Sequence, residues 1–212
     1  TCELKKFDNS ATCVRCVQSI RKFYPSVKIV IINDSPKYIT SNEIIKNFFK
    51  DINLDSIYTE VQGSACSYAL NYFFNTNFQY AAVIHDSSEL INYLPELNFD
   101  VKFFGYFDTH HVWKNYKVPV NFRRKGIETH EDEILEMHKK LEDSKFKKKF
   151  KKYYFKKTKW RGCMGNLVII SNKFLNKLEK KTKILSLSNH IITRRDRMCM
   201  ESIFALAVFY IK

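Results

Sequence analysis

Two polar clusters carry the residue types that chemistry needs, and each closes a run of apolar, strand-forming residues. The first is Asn33-Asp34-Ser35-Pro36, after the run at 27–32; the second is His85-Asp86-Ser87-Ser88-Glu89, after the run at 80–84. Carboxylates and an imidazole delivered at strand ends suit the binding of a cation, a phosphate-bearing ligand or a proton. The same residues also suit plain structural work, Asp34 as a turn former and Asp86 as a helix cap. A third carboxylate, Glu201, precedes an apolar helix face. It suits a general base that takes a proton from a hydroxyl, or an ion pair with Arg194, Arg195 or Arg197. His190 is a late imidazole with either a ligand role or an ordinary loop or core role. The acids that follow Thr129 read as first-turn capping residues rather than metal ligands.

Six cysteines stand at 2, 13, 16, 66, 163 and 199. Cys13-x-x-Cys16 has the spacing of a metal knuckle, yet no second pair answers it, and it falls in a helical pattern. The cysteines therefore read as buried free thiols in a reducing compartment. That points to the cytoplasm, the host's cytoplasm for a viral protein.

The formal net charge is +14. Between Lys139 and Arg161 there are twelve Lys/Arg and two acids, so most of the excess lies in one segment. Within it, Phe146, Phe150 and Tyr153/Tyr154 recur at helical spacing, which predicts an amphipathic helix across about 139–159 with a cationic face. A solvated face lying on the domain is the plain reading. An anionic surface contacted between Lys145 and Lys159 (membrane, nucleic acid, glycan or diphosphate) is the functional one. The lysine run lacks the arginines and amides that usually read base edges, which argues against sequence-specific DNA binding.

The elements that must position these groups follow from periodicity. Val14, Val17, Ile20 and Phe23 mark one face of a helix over 11–23. The dense β-branched run at 27–32 predicts a strand buried on both faces. The pattern continues with a helix at 41–49, an extended stretch at 56–61, a helix at 64–74 and a second buried strand at 80–84. A strand at 101–107, a helix opening at 129, a strand at 166–170 and helices at 172–180 and 197–210 complete it. Alternation of this kind predicts a single α/β domain over 1–212, with a mostly parallel central sheet flanked by helices. Ligands then collect at the carboxyl ends of the strands, so the strands at 27–32 and 80–84 are expected side by side, with Asp34 and Asp86 facing one pocket. Neither G-x-G-x-x-G nor a Walker A motif occurs. No apolar run reaches the roughly 18–20 residues of a membrane span, and no signal-peptide pattern opens the chain.

In this order the elements resemble the GT-A-type glycosyltransferases, with a likeness to glycosyltransferase-like proteins encoded by giant viruses. Four segments carry the resemblance. Cys13 to Pro25 followed by Ile29-Val-Ile-Ile-Asn-Asp-Ser looks like the family's opening, which casts Asp34 as the reader of the nucleotide base. Gly63-Ser-Ala-Cys-Ser-Tyr-Ala-Leu-Asn71 looks like the Gly-rich helix start, with Asn71 at the family's Asn position. Tyr80-Ala-Ala-Val-Ile-His-Asp-Ser-Ser88 sits where the family carries Asp-x-Asp. Trp160-Arg-Gly-Cys-Met-Gly165 and Arg197-Met-Cys-Met-Glu201 look like the acceptor-side loop and the later acidic helix.

The resemblance implies transfer of a sugar from a nucleotide-diphosphate donor to a glycan or protein hydroxyl acceptor. Glu201 would be the base of an inverting transfer. Asp34, Asn71, Asp86 and Ser88 would lie on the donor side, and Trp160, Gly162 and Gly165 on the acceptor side. The sequence departs from the family at the metal pair, where Asp86 is the sole carboxylate or, one residue out of register, His85 and Ser87 take the places. Hard cations want charged oxygens, so the expected set of Asp86, His85 and a distant His190, with Glu89 nearby in sequence, suits manganese better than magnesium. Two other classes of function compete: a glycosyltransferase-like module that binds without turnover, and a polyanion or membrane-surface binder acting through the lysine-rich helix.

Overall fold

The computed structural model describes residues 12–33, 53–58, 65–108, 130–156 and 159–212. In chain order these form α1 (Thr12–Phe23), β1 (Ile29–Asn33), β2 (Leu54–Tyr58), α2 (Ala65–Phe74), β3 (Tyr80–Val83), β4 (Val101–Phe103) and β5 (Tyr106–Asp108). Then come α3 (His130–Lys139), α4 (Lys145–Tyr154), β6 (Arg161–Cys163), a 3-10 turn (Met164–Asn166), β7 (Val168–Ser171), α5 (Asn172–Thr182), a second 3-10 segment (Ile184–His190) and α6 (Arg194–Ile211). The expected helix at 41–49, and Asp34, lie outside the described residues.

The strands do not form the expected mostly parallel sheet. β1 pairs with β2 in parallel, whereas β3, β7 and β4 make an antiparallel sheet with β7 in the middle, and β5 pairs antiparallel with β6. β1 and β3 therefore belong to different sheets rather than lying side by side. Branched apolar runs report burial; they carry no record of which strand lies alongside or in which direction it runs. The strand that takes the middle is Val168–Ser171, all four residues of which are buried. It returns against Tyr80–Val83 in the register Tyr80↔Ser171 to Val83↔Val168. β3 itself is buried only at Val83, with Ala82 exposed. The expected strand at 101–107 divides at Phe104-Gly105, and its halves pair with different strands, β7 and β6.

The helices follow their patterns more closely. α1 buries Cys13, Val14, Cys16 and Val17, and with Ile29 and Leu54 some of these make a small core beside β1 and β2. α6 is the centre of the main core, with Ile203 to Val208 all buried. It opens on a capping box: Thr193 Oγ1 accepts from Asp196 N (3.1 Å), and the Asp196 carboxylate accepts from Thr193 N (2.8 Å). α5 starts at Ser171, whose Oγ accepts from Phe174 N, and stops at Lys183 in the left-handed region (φ 58).

α4 is the lysine-rich helix. Its apolar residues at i, i+4 and i+8, Phe146, Phe150 and Tyr154, are all in the core. Phe146 meets Tyr210 of α6 at 5.3 Å, and Phe150 stacks on His138 of α3 at 4.4 Å. Burying a phenyl ring completely stabilises by about 1.5–3 kcal/mol, so these residues hold the helix down and turn its lysines outward. No helix among the described residues is long and apolar enough to cross a membrane.

Candidate functional site

The site grows from the end of β3. Antiparallel pairing with β7 carries the chain past Val83 to His85, where a tight turn forms in which Ser88 N donates to His85 O (3.0 Å). Helix α1 holds the segment beyond it. Leu90 N donates to Ser19 Oγ (2.8 Å), Leu94 N donates to Tyr24 Oη (2.7 Å), and Tyr93 packs edge-on against Phe23 and Tyr24. Cys16 donates its thiol to His85 O (3.7 Å).

The His85 ring points at the turn between β6 and β7. Its Nε2 lies 2.9 Å from Gly165 O and 3.4 Å from Cys66 Sγ, in the first turn of α2. A carbonyl only accepts, so Nε2 carries the proton. Gly165 has φ +61, and a Cβ there would stand 2.7 Å from His85 Cε1. Only glycine fits both the left-handed backbone and the ring above it. Asn166 follows, also left-handed at φ 55. It is fully buried, and neither polar atom of its amide has a partner among the described residues.

Gly165 faces a second group on its other side. Its N–H lies close enough to the half-buried carboxylate of Glu201 on α6 to favour that group's charged form. Burial raises the Glu201 pKa above the ordinary carboxylate value, against the opposing pull of the Gly165 N–H, Arg197 and Arg194. Arg195, in contrast, pairs with Glu133 of α3 at 3.0 Å. Cys163, at the end of β6, is fully buried, and its thiol is held neutral by burial first and then by the Glu201 and Cys66 charges. One residue, Gly165, thus lies next to both an imidazole and a perturbed carboxylate, with two thiols beside them.

Of the residues expected from sequence, His85, Gly165 and Glu201 come together. Asp86 and Ser88 are half-buried in the adjoining turn. Glu89 is drawn to the surface by Arg15, with Nε 3.1 Å from Oε1. Asn71 lies further along α2 and accepts from Asn75 Nδ2. Trp160 is buried, and its indole N–H donates to Tyr154 O (3.2 Å), so it fastens the end of α4. Gly162 lies under the Phe107 ring, where a Cβ would approach ring carbons at 2.0 Å. His190 ends the second 3-10 segment. Cys66 and Asn166 are the members of the site that sequence reading missed; Cys66 lies within the Gly63–Asn71 segment but reads there only as a buried thiol.

The expected manganese set of Asp86, His85 and His190 is not assembled among the described residues. His85 Nε2 is engaged by Gly165 O, and no group of three or more His, Cys, Asp or Glu able to hold a metal occurs among them. A cavity of about 380 Å³ flanks the turn, lined by Leu90, Tyr93, Leu94, Phe103 and Ile169 among others. That is within the size range of small-ligand sites.

No protein-family model matches this chain, and neither a curated protein nor a solved structure is detectably similar to it.

Proposed function

We propose that the protein is a glycosyltransferase that moves a sugar from a nucleotide-diphosphate donor to a hydroxyl acceptor, with Glu201 as the base. The observation that carries this reading is the Gly165 bridge. It sets a half-buried carboxylate of raised pKa, suited to take a proton, near Gly165, whose carbonyl holds the His85 ring at the head of the turn that carries Asp86. In the step proposed, Glu201 takes the proton of the acceptor hydroxyl as its oxygen bonds to the anomeric carbon. The bond from that carbon to the diphosphate breaks, and the leaving nucleoside diphosphate keeps the electron pair. Arg197 and Arg194, close enough to act on Glu201, supply positive potential for the charge that develops on the leaving group. Asp86 and Ser88 line the donor side, and the cavity beside them accepts an apolar or aromatic part of the ligand. The reading rests on this site and not on the sheet, and no step in it passes through a metal.

A non-catalytic module is the second reading, favoured by one observation: the imidazole that would meet a donor is already bonded within the protein. A thermal-shift and donor-hydrolysis panel of nucleotide sugars, with and without manganese, separates the two. Stabilisation by one donor class, with turnover abolished in Glu201→Gln but binding kept, is expected of the enzyme. Donor binding without turnover at any pH would establish the module, and no binding at all would remove the nucleotide-sugar reading.

A further inference from the structure

The surface of α4 and α5 has a property that the site does not use. The two helices lie side by side over α6, with Ser144 Oγ at the start of α4 donating to Thr182 O at the end of α5 (3.3 Å). Their outward faces carry Lys145, Lys151, Lys152, Lys177, Lys180 and Lys181, all exposed and none ion-paired among the described residues. Four acids lie nearby, fewer than the lysines: Glu136 pairs with Lys139 and also feels Lys151, and Glu142 is exposed beside Glu179. Asp143 is paired with Lys148 (3.0 Å), and Glu179 is turned inward, where it accepts from Leu185 N (2.8 Å).

We propose that this two-helix face docks the protein on an anionic membrane surface. Lysine ammonium groups on flexible stems suit a diffuse layer of headgroup charge, and polybasic segments are attracted to it additively. The apolar stripe of α4 is committed to the core, so the helix adsorbs and does not embed. Phe155, just past the end of α4 and 56% exposed, is an exposed large ring next to this face among the described residues and suits shallow insertion. Single-stranded nucleic acid fits less well. It is gripped by stacking on exposed rings, and Phe146, Phe150 and Tyr154 are all buried; α4 and α5 also contain no arginine. Phe146 of α4 packs on Tyr210, nine residues beyond Glu201 on α6, or about 14 Å along the helix axis at 1.5 Å per residue. The inference rests on the lysine face alone and does not depend on the catalytic reading.

The test is co-sedimentation of the full chain with phosphatidylcholine vesicles, with and without phosphatidylserine, at about 0.1 M and about 1 M salt, where screening lengths are about 10 and 3 Å. Expected is binding to the phosphatidylserine vesicles alone, falling more than tenfold at high salt. The same loss is expected when the six lysines are changed to Glu, or to Gln if the reversed variant does not fold, with circular dichroism as the folding check. Phe155→Ala should weaken binding by a smaller factor. Equal binding to neutral vesicles, unchanged binding of the folded six-lysine variant, or tighter binding of poly(U) RNA than of vesicles at the same salt would each overturn the proposal.

Discussion

Gly165→Ala tests whether the glycine between His85 and Glu201 is the structural centre of the site. The added methyl would lie 2.7 Å from His85 Cε1 and 3.0 Å from Nε2, whereas ordinary contact begins at 3.4 Å. The ring must therefore retreat by about 0.7 Å, the difference between 3.4 and 2.7 Å. From 2.9 Å, the Nε2–Gly165 O hydrogen bond does not survive that displacement. Its loss is worth about 1 kcal/mol, and holding alanine at φ +61 adds roughly 1–2 kcal/mol. The total of about 2–3 kcal/mol corresponds to a fall in Tm of roughly 4–12 °C for a chain of this size. The control is Gly105→Ala. There the nearest atom, Met164 Cβ, is 3.4 Å away, and a change within about 0.5 kcal/mol is expected. Differential scanning fluorimetry measures the melting temperatures, and the ¹⁵N shifts of His85 report whether Nε2 loses its acceptor. A Gly165→Ala protein that melts within about 2 °C of wild type, with His85 unchanged, would refute the account.

Three further outcomes follow from the same geometry. Because burial raises the Glu201 pKa, its contribution to stability is present below the ordinary carboxylate value of 4.5 and is lost as pH rises through the folded value. Glu201→Gln should therefore gain in Tm relative to wild type between about pH 4.5 and neutrality; a gap that is flat with pH would contradict this. His138 shows the opposite sign. Burial lowers its pKa, against the bond from its ring to Leu135 O and with Lys151, Lys139 and Lys147 adding to the depression. Wild type should lose stability as pH falls from about 6.5 towards the lowered value, and His138→Gln should not show that step in a pH series of melting curves. Thr193→Ala removes the side chain that caps α6 and accepts from Asp196 N. It should cost roughly 0.5–2 kcal/mol by urea denaturation, and a neutral result would show that the Asp196 half of the box suffices.

Among the described residues, the sequence by itself located the helices, though not their ends, and most of the groups they bury. The spacing of Phe146, Phe150 and Tyr154 was enough to say which side of the lysine-rich helix meets the core, because helical periodicity is local and the core must take the apolar stripe. The strand ends at His85 and the acidic residue of the last helix were legible for the same reason: turn chemistry after an apolar run is written in adjacent residues. Only the tertiary structure decided how those pieces meet. The run at 166–170 reads as one more strand, yet as Val168–Ser171 it is the antiparallel partner of both β3 and β4. That places Gly165, just ahead of it, under the ring of a histidine eighty residues earlier. Strand direction and neighbour order arise from how long connections close, and local patterns do not encode that. The same holds for Cys66, Asn166 and the raised pKa of Glu201. Burial and a common neighbour in Gly165 make them a site, and neither exists until the chain has folded.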